Sequence, residues 1–186
     1  AGPFFCVRTF ARGCVIGLCH RHLLRMRRRC RDRNSEWPFL QPYSMVRFGI
    51  RHGKGAAMAG RQSTLDIWNR LRGLPGGRWL FGKLLCLKAP YFASISPRFR
   101  VLEPNYCEVA VRKRRKVLNH IGTVHAIAMC NMAELAGGTM TEVSVPLTHR
   151  WIPRGMDVQY LRKADTSVVA FARPMDASHD FTGAGE

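Results

Sequence analysis

The sequence predicts an α+β protein in which an antiparallel sheet packs against one long helix. Three observations carry this. The stretch from Val124 to Ala136 places apolar residues at nearly every angle of a helix, strand-like alternation occurs on both sides of it, and there is no internal repeat, phosphate-binding loop or dinucleotide fingerprint. With 186 residues and 46% hydrophobic content, the chain has room for one domain with a substantial core.

Residues 1–57 contribute charge rather than pattern. They hold 12 of the 30 Lys and Arg residues and only Asp32 and Glu36, a net of +10 out of +18 for the whole chain. No helical or strand period runs through them, and "RMRRRCRDR" sets like charges side by side on any helix it would form. This extension is expected to lie outside the core, and residues 58–186, from the first Met-Ala-Gly, to form the folded domain. Three readings of it stay open: an organelle presequence, a disordered basic arm, or sequence from upstream of the true start. "CVIGLCHRH" and Cys30 offer zinc-ligand residue types, but Cys14, Cys19 and Cys30 lie at intervals of five and eleven rather than in paired knuckles, so no metal is expected. Cys86, Cys107 and Cys130 are scattered in apolar surroundings, as in a reduced, cytoplasmic protein.

The first predicted element is a short amphipathic helix in "STLDIWNRLRGLPGG", with Ser63 or Thr64 as N-cap, Leu65, Ile67, Trp68 and Leu71 on one side, and a Pro-Gly-Gly stop. A helical turn is expected in "RWLFGKLLCL". Next, "ISPRFRVLEPNYCEVAVRKR" predicts an antiparallel hairpin about Glu103-Pro104-Asn105, with Cys107, Val109 and Val111 facing inward. The central helix follows at about four turns, too short to cross a membrane. After it, "TMTEVSVPL", "GMDVQYLRKA" and "TSVVAFARP" are strand candidates, the last two joined by a tight turn at Ala164-Asp165.

Inside the central helix region, "NHIGTVHAIAMCNMAE" carries a motif: Asn119, Gly122, Thr123, His125 and, nine residues on, Glu134. It resembles the signature of hotdog-fold thioesterases of the PaaI-like kind, N-x-x-G-T-x-H-G-G followed by an acid. "PYFASISPRFRVLEP" and "VQYLRKADTSVVAFA" bring the chain nearer to an uncharacterised bacterial DUF4442-type branch of that superfamily, over residues 64–186. The resemblance implies a hotdog fold, a sheet wrapped around the central helix, and acyl-CoA thioester hydrolysis at a dimer interface. It makes Glu134 the general base or nucleophile, Asn119 a holder of thioester or water, and His125 the motif histidine. Gly122, Thr123 and Ala126 fall at the substrate, with the Ala126 N–H on the thioester carbonyl and Asn131 supporting Glu134. Two departures stand out. Ala126-Ile127 replaces the Gly-Gly pair, and the family usually continues for further strands beyond "DFTGAGE", so the sheet is expected to be incomplete.

Helix geometry bears on this independently. Nine residues at about 100° and 1.5 Å each place Glu134 roughly 180° around from His125 and about 13 Å along the axis. One chain does not bring them to one site; two antiparallel helices across a two-fold axis do. A homodimer, or a dimer of dimers, is expected. Arg112, Lys113, Arg114, Arg115 and Lys116 are placed to steer or grip the phosphates of the coenzyme, with Arg114 and Arg115 foremost. Each assignment has a plainer counterpart: His125 as a cap, Asn119 as a turn closer, Glu134 as an acid bonded to Asn131, and the basic run as a solvated strand end. The alternative function is a non-enzymatic acyl-binding or structural dimer. No cofactor is expected. Nor is a nucleic-acid partner, since aromatic and basic residues do not interleave, or a membrane partner, since no apolar run reaches spanning length.

Overall fold

The structure is a computed structural model. It describes residues 4–8, 14–19, 45–52, 59–146, 149–160 and 162–174, with side chains from residue 64 onward. The chain is a mixed α+β arrangement, a long helix against a seven-stranded sheet, three of whose antiparallel strands carry the described sheet side of the core.

Two helices lead in. Helix α1 spans Ala59–Leu71, so Ser63 and Thr64 lie within it rather than at its cap. The reason is local: Ala59, Arg61 and Gln62 are good helix formers, and an interior Ser or Thr costs only a few tenths of a kcal/mol. Helix α2, Gly77–Lys88, is a full 12-residue helix rather than a single turn. The Pro-Gly-Gly stop works as expected. Gly76 takes φ 72°, and a Cβ on Gly77 would sit 1.9 Å from the Leu71 carbonyl oxygen, so only glycine lets α2 begin against the end of α1. A 3-10 segment, η1 (Pro90–Ile95), then leads into the sheet.

Strands β4 (Arg98–Glu103) and β5 (Tyr106–Val111) form the predicted hairpin, with Asn105 at φ 63° in its turn and Leu102 opposite Cys107. The Asn105 N–H donates to Ser144 Oγ at 2.7 Å, tying the turn to the end of the long helix. β7 (Val168–Pro174) pairs antiparallel with β5, Val109 facing Ala170 and Cys107 facing Ala172. Alternation put Cys107, Val109 and Val111 inside, and all three are fully buried. Their core partners include Phe99, Leu102, Met132, Leu135 and Met140.

The long helix α3 spans Ala126–Ser144, 19 residues and about 28 Å. "TMTEVS" was expected to be a strand and is instead its last turns. Gly137-Gly138 looks like a stop in sequence, but both glycines are buried inside the helix, and the Trp151 ring lies 3.0 Å from where a Gly138 Cβ would be. The glycines admit a neighbour; they do not end the helix. Burial then overrides the strand preference of the β-branched residues that follow. Leu135 to Thr141 are buried without interruption.

β6 occupies His149–Asp157, earlier than the strand expected in "GMDVQYLRKA", and it does not pair with β7. Pro153 lies within this strand. It is tolerated because β6 is the last strand of the sheet, where a missing N–H costs little. The turn expected at Ala164-Asp165 is therefore no hairpin; Ala164 is buried and its carbonyl accepts from Val124 N–H at 2.8 Å.

Backbone strands β1 (Phe4–Arg8), β2 (Cys14–Cys19) and β3 (Met45–His52) complete a sheet of order β4-β5-β7-β2-β1-β3-β6. Residues 20–44, the side chains of Cys14 and Cys19, and Cys30 lie outside what is described. The described core side chains run from Trp68 to Ala172, and Trp151 is held to α3 by its own bond to Glu142. β2, β1 and β3 stand between β7 and β6 in this sheet, so a chain beginning at Met58 leaves β6 without its partner β3. Such a chain tests the expectation that residues 1–57 lie outside the core, which predicts a retained cooperative urea transition. Loss of that transition would make β1–β3 integral to the core. No helix among the described residues is long and apolar enough to cross a membrane.

Candidate functional site

The loop from Leu118 to His125 is built around Asn119. Leu118 and Val124 form a β-bridge, Asn119 N–H donates to the Thr123 carbonyl at 2.9 Å, and Gly122 N–H to the Asn119 carbonyl at 3.1 Å. The Asn119 side chain fills the ring so formed. Its Oδ1 accepts from Ile121 N–H at 3.2 Å and Thr123 N–H at 3.0 Å, and its Nδ2 donates to Thr123 Oγ1 at 2.7 Å. Gly122 supplies the φ of 76° that the turn needs. Asn119 is thus the turn closer, and Thr123 its partner. Asn119→Ala removes three bonds from a half-buried loop and is expected to cost about 1–2 kcal/mol in urea unfolding. Asn119→Asp keeps both acceptor bonds and should recover most of that; equal losses would show that the acceptor bonds do not hold the loop.

Two further bonds fix the helix start. His125 N–H donates to the Val117 carbonyl at 2.8 Å, and His125 then caps α3, its Nδ1 accepting from Ile127 N–H at 3.1 Å. The imidazole is exposed. In this first turn Ala126 and Ala128 N–H have no partner among the described residues, so the positive end of the helix keeps free donors at Ala126.

Farther along α3, Ile127, Cys130 and Glu134 share one side of the helix, at spacings of three and four. It is the least covered side. Ile127 is 56% exposed, and Cys130 and Glu134 are half-buried. Tyr160 reaches Cys130, its hydroxyl 2.9 Å from Sγ. Burial, and after it the bond to Cys130, push the Tyr160 hydroxyl up to about 12, so it stays a neutral group at the rim. Glu134 has no hydrogen bond or ion pair among the described residues. The expected bond to Asn131 is absent: Asn131 Nδ2 donates instead to Ser94 Oγ at 3.0 Å, and its Oδ1 is buried with no partner.

The basic run divides. Arg114 Nη2 donates to the Ser94 carbonyl at 3.2 Å and to Ser96 Oγ at 2.7 Å, and Lys113 Nζ to the Asp165 carbonyl at 2.9 Å. Arg114 is therefore occupied in holding η1 beside α3. Arg112, Arg115 and Lys116 are exposed. Asn119, Gly122, Thr123, His125 and Ala126 form one unit at the helix start, while Glu134 and Asn131 lie two turns on, and the chain does not bring the two groups together. Ser94 and Tyr160 escaped the sequence reading because they meet α3 from segments 37 and 30 residues away, with no spacing to announce them. No group of three or more potential metal ligands occurs among the described residues.

A long helix with a capped, donor-bearing N-terminus and an acid unpaired among the described residues, packed on the antiparallel β4-β5-β7 strands, defines a mixed α+β protein. Residues 77–185 match the family described as "Domain of unknown function (DUF4442)", and the chain belongs to that family. It is also similar to a solved structure described as "Crystal Structure of genomics APC5556", with 49% identity over 67% of this chain and 80% of that one and a TM-score of 0.55. Comparison with curated proteins gives no match.

Proposed function

We propose that this protein is a hotdog-fold hydrolase of acyl thioesters of the acyl-CoA class, acting at a site completed by a second copy. The observation that carries the reading is Glu134: a half-buried carboxylate without a partner among the described residues, on the least covered side of an otherwise apolar helix. Such a carboxylate is free to meet a water and act as its general base. In the proposed dimer, the free N–H of Ala126 from one subunit faces Glu134 of the other. Glu134 removes a proton from water, the water oxygen attacks the thioester carbonyl, and the oxyanion is held by the Ala126 N–H at the positive end of α3. Collapse of the tetrahedral intermediate breaks the C–S bond, and the departing thiolate takes the proton. If Glu134 attacks directly, an anhydride forms first and water then cleaves it. Arg115, with Arg112 and Lys116, is left to meet coenzyme phosphate, since Arg114 is engaged. Asn131 Oδ1, one helical turn before the acid, is a buried acceptor without a partner among the described residues.

Pairing is supported by the uncovered stripe. Within one chain Trp151 of β6 lies over Gly138 and α3 is buried from Leu135 to Thr141, so a partner is needed over Ile127, Cys130 and Glu134. A second reading, acyl binding without turnover, is favoured by the Ile127 side chain standing where the family motif has glycine. Hydrolysis assays across acyl-CoA chain lengths, with light scattering at the same concentrations, separate the two: turnover by a dimer is expected. A monodisperse monomer, or tight binding without hydrolysis at every length, would end the enzymatic reading.

A further inference from the structure

We infer that the outward face of α2 is a binding surface for anionic phospholipid membranes, on which the protein rests without spanning. The inference stands apart from the thioesterase reading. Helix α2 buries Phe81, Gly82 and Cys86 against the core, yet its opposite side is also apolar: Trp79, Leu80, Leu84 and Leu87 cover an arc of about 140° on a helical wheel. All four are exposed, Leu87 by 79% and Trp79 by 55%, and Tyr91, just beyond in η1, by 71%. A large contiguous apolar surface of this kind marks an interaction site.

Charge decides what covers it. No carboxylate occurs from Ile67 to Leu102, whereas Arg70, Arg72, Arg78, Lys83 and Lys88 are all exposed there. Lys83 lies within the apolar arc, its Nζ 5.6 Å from the centre of the Trp79 ring. A second copy seated on this face would bring Lys83 and its neighbours against their own like charges. An anionic surface meets them with opposite charge. Trp and Tyr at the level of lipid headgroups, leucines below, and lysines extending back to the phosphates match an amphipathic helix lying in the plane of a membrane. The expectation of no membrane partner rested on the lack of a spanning segment, which this mode does not require.

The test uses the full chain with vesicles of phosphatidylcholine and phosphatidylglycerol whose acyl chains are brominated. Trp79 fluorescence is expected to be quenched, and the quenching lost in Trp79→Phe. Leu84→Ser with Leu87→Ser leaves every charge in place, including those of residues 1–57, and is expected to weaken vesicle binding at least tenfold. These positions are exposed, so folding is spared. Undiminished quenching in Trp79→Phe, unchanged binding by the leucine variant, or wild type that ignores the vesicles would overturn the inference. So would a leucine variant that loses self-association in vesicle-free sedimentation, which would give the face to a second copy.

Discussion

Glu134→Gln is expected to lower single-turnover hydrolysis of an acyl-CoA by roughly 100-fold or more while leaving the unfolding midpoint nearly unchanged. The substitution keeps the shape of the side chain and removes the charge that abstracts a proton or attacks the carbonyl. Stability should hardly respond, because the carboxylate has no bond among the described residues to lose. The two quantities therefore separate. An acid with a purely structural duty would show the reverse, a shifted midpoint with hydrolysis intact. Equal rates in wild type and variant would remove Glu134 from the chemistry. No rate in either would leave acyl binding as the function.

The largest effect on stability is expected at Phe99. Its ring meets Phe81 edge-on at 5.0 Å and Trp68 at 6.4 Å, while Trp68 and Phe81 meet at 5.1 Å. These three rings, from β4, α2 and α1, are each no more than 3% exposed and join both leading helices to the sheet. Phe99→Ala leaves a cavity among rigid neighbours and should cost about 3–5 kcal/mol. Against a typical domain stability of about 5–15 kcal/mol, that is a large share. Urea denaturation measures the loss, and near-ultraviolet circular dichroism should show the Trp68 signal weakened as α1 loosens. A cost below about 1 kcal/mol would mean that the helices dock through other contacts.

What the sequence made legible follows from the range of the forces involved. The β4–β5 hairpin was readable because alternation and a Pro-Asn turn lie within 14 residues, and β7 because its apolar run is bounded on both sides. The helix start was readable for the same reason: Asn119, Gly122 and Thr123 bond to one another, and His125 caps the helix through Ile127 N–H two residues on. Beyond that range, the end of α3 depends on Trp151 covering Gly138, and the placing of β6 depends on its edge position. Neither is a property of the local residues. Asn131 illustrates the limit well. Its proximity to Glu134 by one helical turn suggested a bond, yet Ser94, delivered by η1, takes it.

The loop ahead of α3 draws its bonds from the backbone and from Asn119 and Thr123, so the side chains of His120 and Ile121, both exposed, carry no duty in holding it. Such a loop separates inheritance from adaptation. Its frame is kept by a few residues that are costly to change, while two adjoining exposed positions are free to vary. Drift at 120 and 121 would alter what the protein meets without unsettling how it folds, and members of one family would diverge first at those two positions.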